Sequence, residues 1–227
     1  RAAVVVFFFI SLACTTAAQW QSIGNVTAVT QPGADRVVVR TSSRAVASVE
    51  FHAPDVVRVR IAPNGKFERE FSYAFDPSAV KPGRPTVKVT QTRAQITLTS
   101  SDGARAVITK APFRVDVFDA NSRLVVGDDP KNPFRFDPAA GEFIATKLRS
   151  SEVETYYGFG EKAFIEMSRN GKYIVNWNTD TFAYPIGTDP IYQSIPFFYA
   201  LQDGEAYGLF FNNTFRSFFD MGKTFPD

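Results

Sequence analysis

From residue 36 onward, hydrophobic and polar positions alternate with a period of two. The segments 36–41 (RVVVRT), 45–51 (AVASVEF) and 56–61 (VVRVRI) each separate aliphatic from polar side chains, as half-buried antiparallel strands require. In the third, Arg58 and Arg60 alternate with Val57, Val59 and Ile61. Pro54-Asp55 and Pro63-Asn64-Gly65 punctuate these segments as turns. The same pattern predicts strands at 71–75, 86–91, 95–99, 104–109, 113–118 and 124–126, with turns at Asp102-Gly103 and Ala120-Asn121-Ser122. No useful length of helical period intervenes. Short strands at close spacing predict an all-β, antiparallel β-sandwich rather than a βαβ sheet. Two stretches rich in Pro, Gly and charge, 76–85 and 128–141, read as surface excursions, because strand patterning resumes after each. Consecutive apolar residues at 207–212 and 215–220 predict burial on both faces. Such strands either form the centre of the sandwich or lie beneath something outside the chain.

Composition narrows the function. A chain of 227 residues holds one sizeable β domain. Lys+Arg 25 against Asp+Glu 23, a formal net charge of +2 with no block of like charge, excludes a nucleic-acid groove. One Cys excludes an internal disulfide framework. Residues 1–18 combine a basic start, an apolar run and small residues ending at Thr16-Ala17-Ala18, the pattern of a secretory signal cleaved after Ala18. Residues 19–227 then form the sandwich domain of an exported protein, periplasmic or extracellular. Ser-Leu-Ala-Cys is an imperfect lipoprotein box, with Ser where Leu is usual, so lipidation at Cys14 is the lesser alternative. No other stretch reaches the ~20 apolar residues of a membrane-spanning helix. The missing initiator Met and the end at Pro226-Asp227, just after an aromatic run, predict a piece of a longer protein.

The stretch 155–201 mixes Tyr, Phe and Trp with Gly, Asn, Thr and Asp. Flat apolar faces beside short hydrogen-bonding groups suit a pyranose, which offers a C–H face and an equator of hydroxyls. The same residues also suit a long loop packed by its own aromatics, and the two readings stay open at this level. Other chemistry lacks its parts. The sole His, His52, reads as a strand-end residue without an evident partner, and the sole Cys lies in the signal segment, so nucleophilic triads and a zinc site are excluded. Gly158-Phe159-Gly160 is too short for a phosphate loop, and Asp119-Ala120-Asn121 is a turn rather than a calcium loop. No metal or cofactor is expected. The remaining candidates are carboxylates: Glu161, Glu166, Asp180 and Asp189. Glycoside hydrolysis needs two held ~5 to 9.5 Å apart, and two acids on one flexible loop are poorly fixed for it. Spacing alone makes Asp180 a turn acid capping its own backbone.

Three blocks in order carry a resemblance: Tyr156-Tyr157-Gly158-Phe159-Gly160-Glu161-Lys162, then Trp177-Asn178-Thr179-Asp180, then residues 188–198 (TDPIYQSIPFF). They resemble the N-terminal, galactose mutarotase-like β-sandwich of glycoside hydrolase family 31, the α-glucosidase and α-xylosidase family. The resemblance implies that a (β/α)₈ barrel carrying both catalytic aspartates follows this domain, so no catalytic residue lies in 1–227. It also implies that Asp180, with Trp177 and Thr181, sits on an arm reaching a sugar over the barrel mouth. Gly158, Gly160 and Glu161 would be scaffold for that arm. The segment 164–168 (FIEMS) departs from the family's usual Gly/Pro-rich version. Within the stretch, 156–161 is therefore expected as scaffold, 176–184 as the sugar-facing arm and 190–199 as the return strand. The implied partners are an α-linked oligosaccharide or glycoside and the chain's own downstream barrel. The rival reading is a free-standing carbohydrate-binding sandwich without hydrolytic activity. A mutarotase is disfavoured, because that chemistry uses His with a carboxylate.

Overall fold

The computed structural model describes residues 19–74, 85–149 and 153–224; the expected signal segment with Cys14, residues 76–84 of the first excursion, and Pro226-Asp227 lie outside the described residues. After a short β1 (Gln21–Ser22), an antiparallel sheet runs in chain order through β2 (Val26–Gly33), β3 (Arg36–Thr41), β4 (Val46–Ala53) and β5 (Val56–Ala62). A second sheet is built from β6 (Val87–Gln91), β7 (Gln95–Ser100), β8 (Arg105–Lys110), β9 (Phe113–Phe118) and β10 (Leu124–Asp128). β11 (Phe134–Asp137) and β12 (Glu142–Ala145) pair beside β1, and β13 (Lys147–Leu148) closes the far edge of the second sheet against β10. Among the described residues, no helix is long and apolar enough to cross a membrane.

The two large sheets share one core. Register sets Val39 opposite Ala47 and Val37 opposite Val49, so these side chains leave one face together. They meet Ile96, Leu98, Ile108, Phe113 and Val115 of the second sheet in a single buried cluster. On the outer face of the first sheet, Arg36, Glu50 and Arg58 stand directly opposite one another across β3, β4 and β5. Glu50 is buried there between Arg36 at 3.8 Å and Arg58 at 3.6 Å. The segment following β5 covers this ladder, pairing Glu70 with Arg58 and laying the Phe67 ring 4.8 Å from the Arg60 guanidinium. His52 does have a partner, Glu50 at 3.1 Å, but that carboxylate is shared with two arginines and is no general-base partner.

A smaller unit follows: β14 (Thr155–Gly160), β16 (Ser194–Gln202) and β17 (Glu205–Phe210) in one sheet, and β15 (Tyr173–Asn176) with β18 (Ser217–Asp220) in a two-stranded ladder. Phe159, Ile174 and Phe198 are its buried centre, with Leu209, Phe211 and Phe219 packed around them.

Four expectations change. The strand expected at 71–75 is not formed in its described part; Phe71 and Tyr73 turn onto each other edge-on at 4.6 Å, and Asn212 of the smaller unit accepts the Ser72 hydroxyl proton at 2.9 Å. β2 lies upstream of the first expected strand. It is an edge strand on which only Val26 and Val29 pack on the core, and Pro32 sits where no inward neighbour needs its missing N–H. The excursion 128–141 contains β11, because Phe134 is buried against Phe113 and Phe143. The aromatic strands at 207–212 and 215–220 do not form the centre of the sandwich, the first of the two readings open for them: Leu209 and Phe219 point inward, while Phe210 and Phe218 stay exposed.

Leu98 is fully buried between the large sheets. Leu98→Ala should cost about 2–5 kcal/mol in denaturant-induced unfolding. A shift indistinguishable from that of an exposed-strand substitution would mean the two sheets do not share this core.

Candidate functional site

The sequence TYYGFG makes a strand that cannot stay regular. Gly158, Phe159 and Gly160 all take positive φ, at 126°, 68° and 78°, and the ladder to β16 shifts register between the two glycines. A left-handed Phe costs about 1–3 kcal/mol. Its compensation is visible: the bend turns the Phe159 ring into the smaller core, 5.0 Å from Phe198 and 4.8 Å from Phe219. Both glycines are required by contact. A Cβ on Gly158 would stand 2.7 Å from the Phe197 carbonyl oxygen, and one on Gly160 2.7 Å from that of Gln193.

The bend delivers Lys162 into the interior. Its side chain is 0% exposed and that of Asp189 is 5% exposed. The ammonium uses all three protons: to Asp189 Oδ1 at 2.7 Å, the Val175 carbonyl at 2.8 Å and Ser194 Oγ at 3.3 Å. The second Asp189 oxygen accepts the Val175 N–H at 2.7 Å. Burial pushes the Lys162 ammonium below its ordinary range, and the Asp189 carboxylate partly restores it. Four segments therefore meet at one buried pair.

From this root the arm 177–189 leaves β15 and returns to β16. Ser194 Oγ accepts the Trp177 N–H at 3.1 Å and donates to the Trp177 carbonyl at 3.0 Å, while Asn178 Oδ1 accepts the Ser194 N–H at 2.7 Å. Further out, the Thr179 N–H bonds the Ile191 carbonyl at 3.0 Å, and the Tyr192 hydroxyl donates to the Thr181 carbonyl at 3.0 Å. At the tip, the Gly187 N–H reaches the Ala163 carbonyl at 2.6 Å. An arm expected as flexible is stapled at 177–181 and again at 187.

Asp180 stands on this arm, exposed, with its carboxylate bonded to no described residue. Trp177, 47% exposed, and Phe182, 92% exposed, flank it in the chain. Thr181 is half-buried and its hydroxyl is engaged with that of Thr179 at 2.9 Å. Gly158 and Gly160 make the close backbone approaches just described. Glu161 contributes its N–H to the Gln193 carbonyl at 2.9 Å, but its carboxylate is exposed and meets no described residue. Of the other acids, Asp189 is consumed by Lys162, and Glu166 is exposed and held below the usual carboxylate range by its bond from Lys172 at 3.0 Å. Lys162 and Ser194 carry the geometry and were not singled out from the sequence. Neither stands out from its polar neighbours, Glu161 and Gln193, and only pairing across the fold gives it a role.

Such an arrangement can accept hydrogen bonds from hydroxyls at Asp180 and offer ring faces beside them. The fold and site together define an all-β sandwich domain whose smaller unit holds out a rigid, carboxylate-bearing arm. The chain belongs to the family described as the glycosyl hydrolase 31 N-terminal galactose mutarotase-like domain, whose model matches residues 46–220. Alpha-glucosidase 2 of Bacillus thermoamyloliquefaciens is 35% identical over 178 residues, 78% of this chain and 22% of that protein. An alpha-glucosidase of Saccharolobus solfataricus is 46% identical over 69 residues, 30% of this chain and 10% of that protein. The GH31 dextranase of Flavobacterium johnsoniae, solved as a mutant in complex with isomaltotriose, matches with a TM-score of 0.79 at 28% identity, over 90% of this chain and 24% of that one. This chain thus spans less than a quarter of the length of each of these relatives.

Gly160→Ala should destabilise the smaller unit by about 1–3 kcal/mol through strain at positive φ and the clash with Gln193. Thermal unfolding reads the loss, and Gly171→Ala, whose Cβ meets nothing within 4 Å, is the control for φ strain alone.

Proposed function

We propose that this chain is the N-terminal domain of an exported, retaining α-glycosidase of the α-glucosidase or α-xylosidase type. In this reading hydrolysis of the α-linked glycoside takes place on a (β/α)₈ barrel that follows the domain, and residues 1–18 direct export. The domain lends the barrel its arm. Asp180 accepts hydrogen bonds from sugar hydroxyls, Trp177 lays its ring along the sugar, and Thr181 shapes the loop between them. The observation that carries the reading is the exposed carboxylate of Asp180, bonded to no described residue, on an arm tied to the fold at 177–181 and at 187, within a domain matched by the family over 46–220. The likeness to enzymes several times longer supports the barrel as partner.

The bare face of the β14–β16–β17 sheet supports it further. Ile195, Phe197, Tyr199 and Leu201 alternate along β16 with buried residues and remain exposed, with Phe210 opposite Phe197. A contiguous apolar stripe of this kind suits a covering domain more than solvent, which places the free-standing module second.

In the full-length enzyme, Asp180→Ala should lower kcat/KM for an α-glucoside by about ten- to a hundredfold, the size expected for a lost charge-assisted hydrogen bond of ~1.5–3 kcal/mol. Thermal stability should not move, because Asp180 bonds no described residue. An unchanged kcat/KM would falsify the sugar contact.

A further inference from the structure

We infer that Lys162 is the positioning residue of the arm: its buried ammonium, joining Val175, Asp189 and Ser194, fixes where the Asp180 carboxylate stands. The inference rests on the reading of Asp180 as a sugar contact and adds to it the residue that aims the contact. Three features support it.

The first is exhaustion of donors. All three ammonium protons are bonded and the side chain is 0% exposed, so Lys162 offers nothing to a substrate and acts only through what it holds. The second is what it holds. Val175 lies on β15 two residues before the arm begins, and both its N–H and its carbonyl are taken by the Lys162–Asp189 pair. Asp189 and Ser194 lie where the arm comes back, and Ser194 in turn grips both backbone groups of Trp177. One charged group therefore sets the separation and twist of the two stems between which Asp180 is carried.

The third is energetic. A buried ion pair is a poor device for stability alone, since apolar side chains of the same volume commonly do as well. Apolar packing fills space but does not fix three polar atoms at hydrogen-bond distance. Catalytic and binding constellations depend on such fixing, because a small displacement of a contact group forfeits much of its bond.

The test uses the full-length enzyme with Lys162→Met and, because a lone Asp189 charge could prevent folding, Lys162→Met/Asp189→Asn. Each is made with Asp180 intact and with Asp180→Ala. Amide hydrogen exchange of 177–189 is compared with that of β7, and kcat and KM are measured on an α-glucoside. Loosening of the clamp should speed exchange of the arm tenfold or more while β7 is unchanged. kcat/KM should fall tenfold or more, chiefly through KM, and this fall should vanish in the Asp180→Ala background. Unchanged arm exchange overturns the inference. So does a loss that simply adds to that of Asp180→Ala, or a double variant whose β7 amides exchange as fast as its arm, which marks a general structural role. Faster arm exchange with kcat/KM unchanged overturns the inference where Asp180→Ala alone lowers kcat/KM, and overturns the sugar contact where Asp180→Ala leaves it unchanged as well.

Discussion

An ammonium removed entirely from water organises the smaller unit of this molecule. Taking Lys162 and Asp189 out of solvent is costly for each ion, and the cost is tolerable only because every proton of the one and both oxygens of the other are bonded. Completeness of that kind constrains everything around it. β14 has to bend so that Lys162 turns inward, which demands the left-handed run at Gly158-Phe159-Gly160. β15 has to present Val175 edge-on to the pair. The return to β16 has to bring Asp189 and Ser194 to the same point. The stapled arm is what is left once those demands are met.

The chain divides its hydrophobic energy accordingly. The larger core joins two sheets whose inward residues are mostly Val, Ile, Leu and Ala, and it carries the mass of the domain. The smaller core is aromatic, built on Phe159 and Phe198 with Phe211 and Phe219 around them. Large flat rings fill the irregular space that a bent strand and a two-stranded ladder leave, which branched aliphatics would fill less well. Phe159 links the two demands: its burial offsets the strained backbone that delivers Lys162. The smaller unit is also fastened to the larger one at single points, such as Ser72 on Asn212 and Arg123 on Glu205. No described residue covers its outer sheet face, which remains apolar.

Much of this was legible in the chain, and the exceptions have physical causes. Period-two alternation placed β3 and β9 at their observed bounds, and the turns at Asp102-Gly103 and Ala120-Asn121-Ser122 are closed by the expected backbone bonds. β2 was missed because an edge strand needs few inward residues, and Val26 and Val29 make too faint a pattern. β11 was hidden by the Pro and Asp around it, which mark turns correctly but do not forbid a four-residue strand between them. The opposite error occurred at Phe71, where aromatic letters suggest a strand and the residues instead tie the two units together. At the site, composition and the three family blocks located the arm, yet no local rule distinguishes Asp180 from Asp189. That distinction belongs to Lys162, which is remote in sequence from the acid it neutralises.

The two aspartates differ in what the fold leaves each able to bond. Asp189 is held by an ammonium and a backbone N–H and has no capacity left for a ligand. Asp180 has its full capacity, because no described residue competes for it. A free carboxylate on a mobile loop would lose conformational freedom on meeting a sugar, and that loss would offset much of the bond it forms. Here the backbone on both sides of Asp180 is already immobilised by Thr179, Ser194 and Tyr192. Only the side-chain rotamer and its bound water remain to be given up. Under the proposed sugar contact, the strain at Phe159 and the desolvation of Lys162 are costs borne in the fold beforehand, so that less remains to be lost on binding.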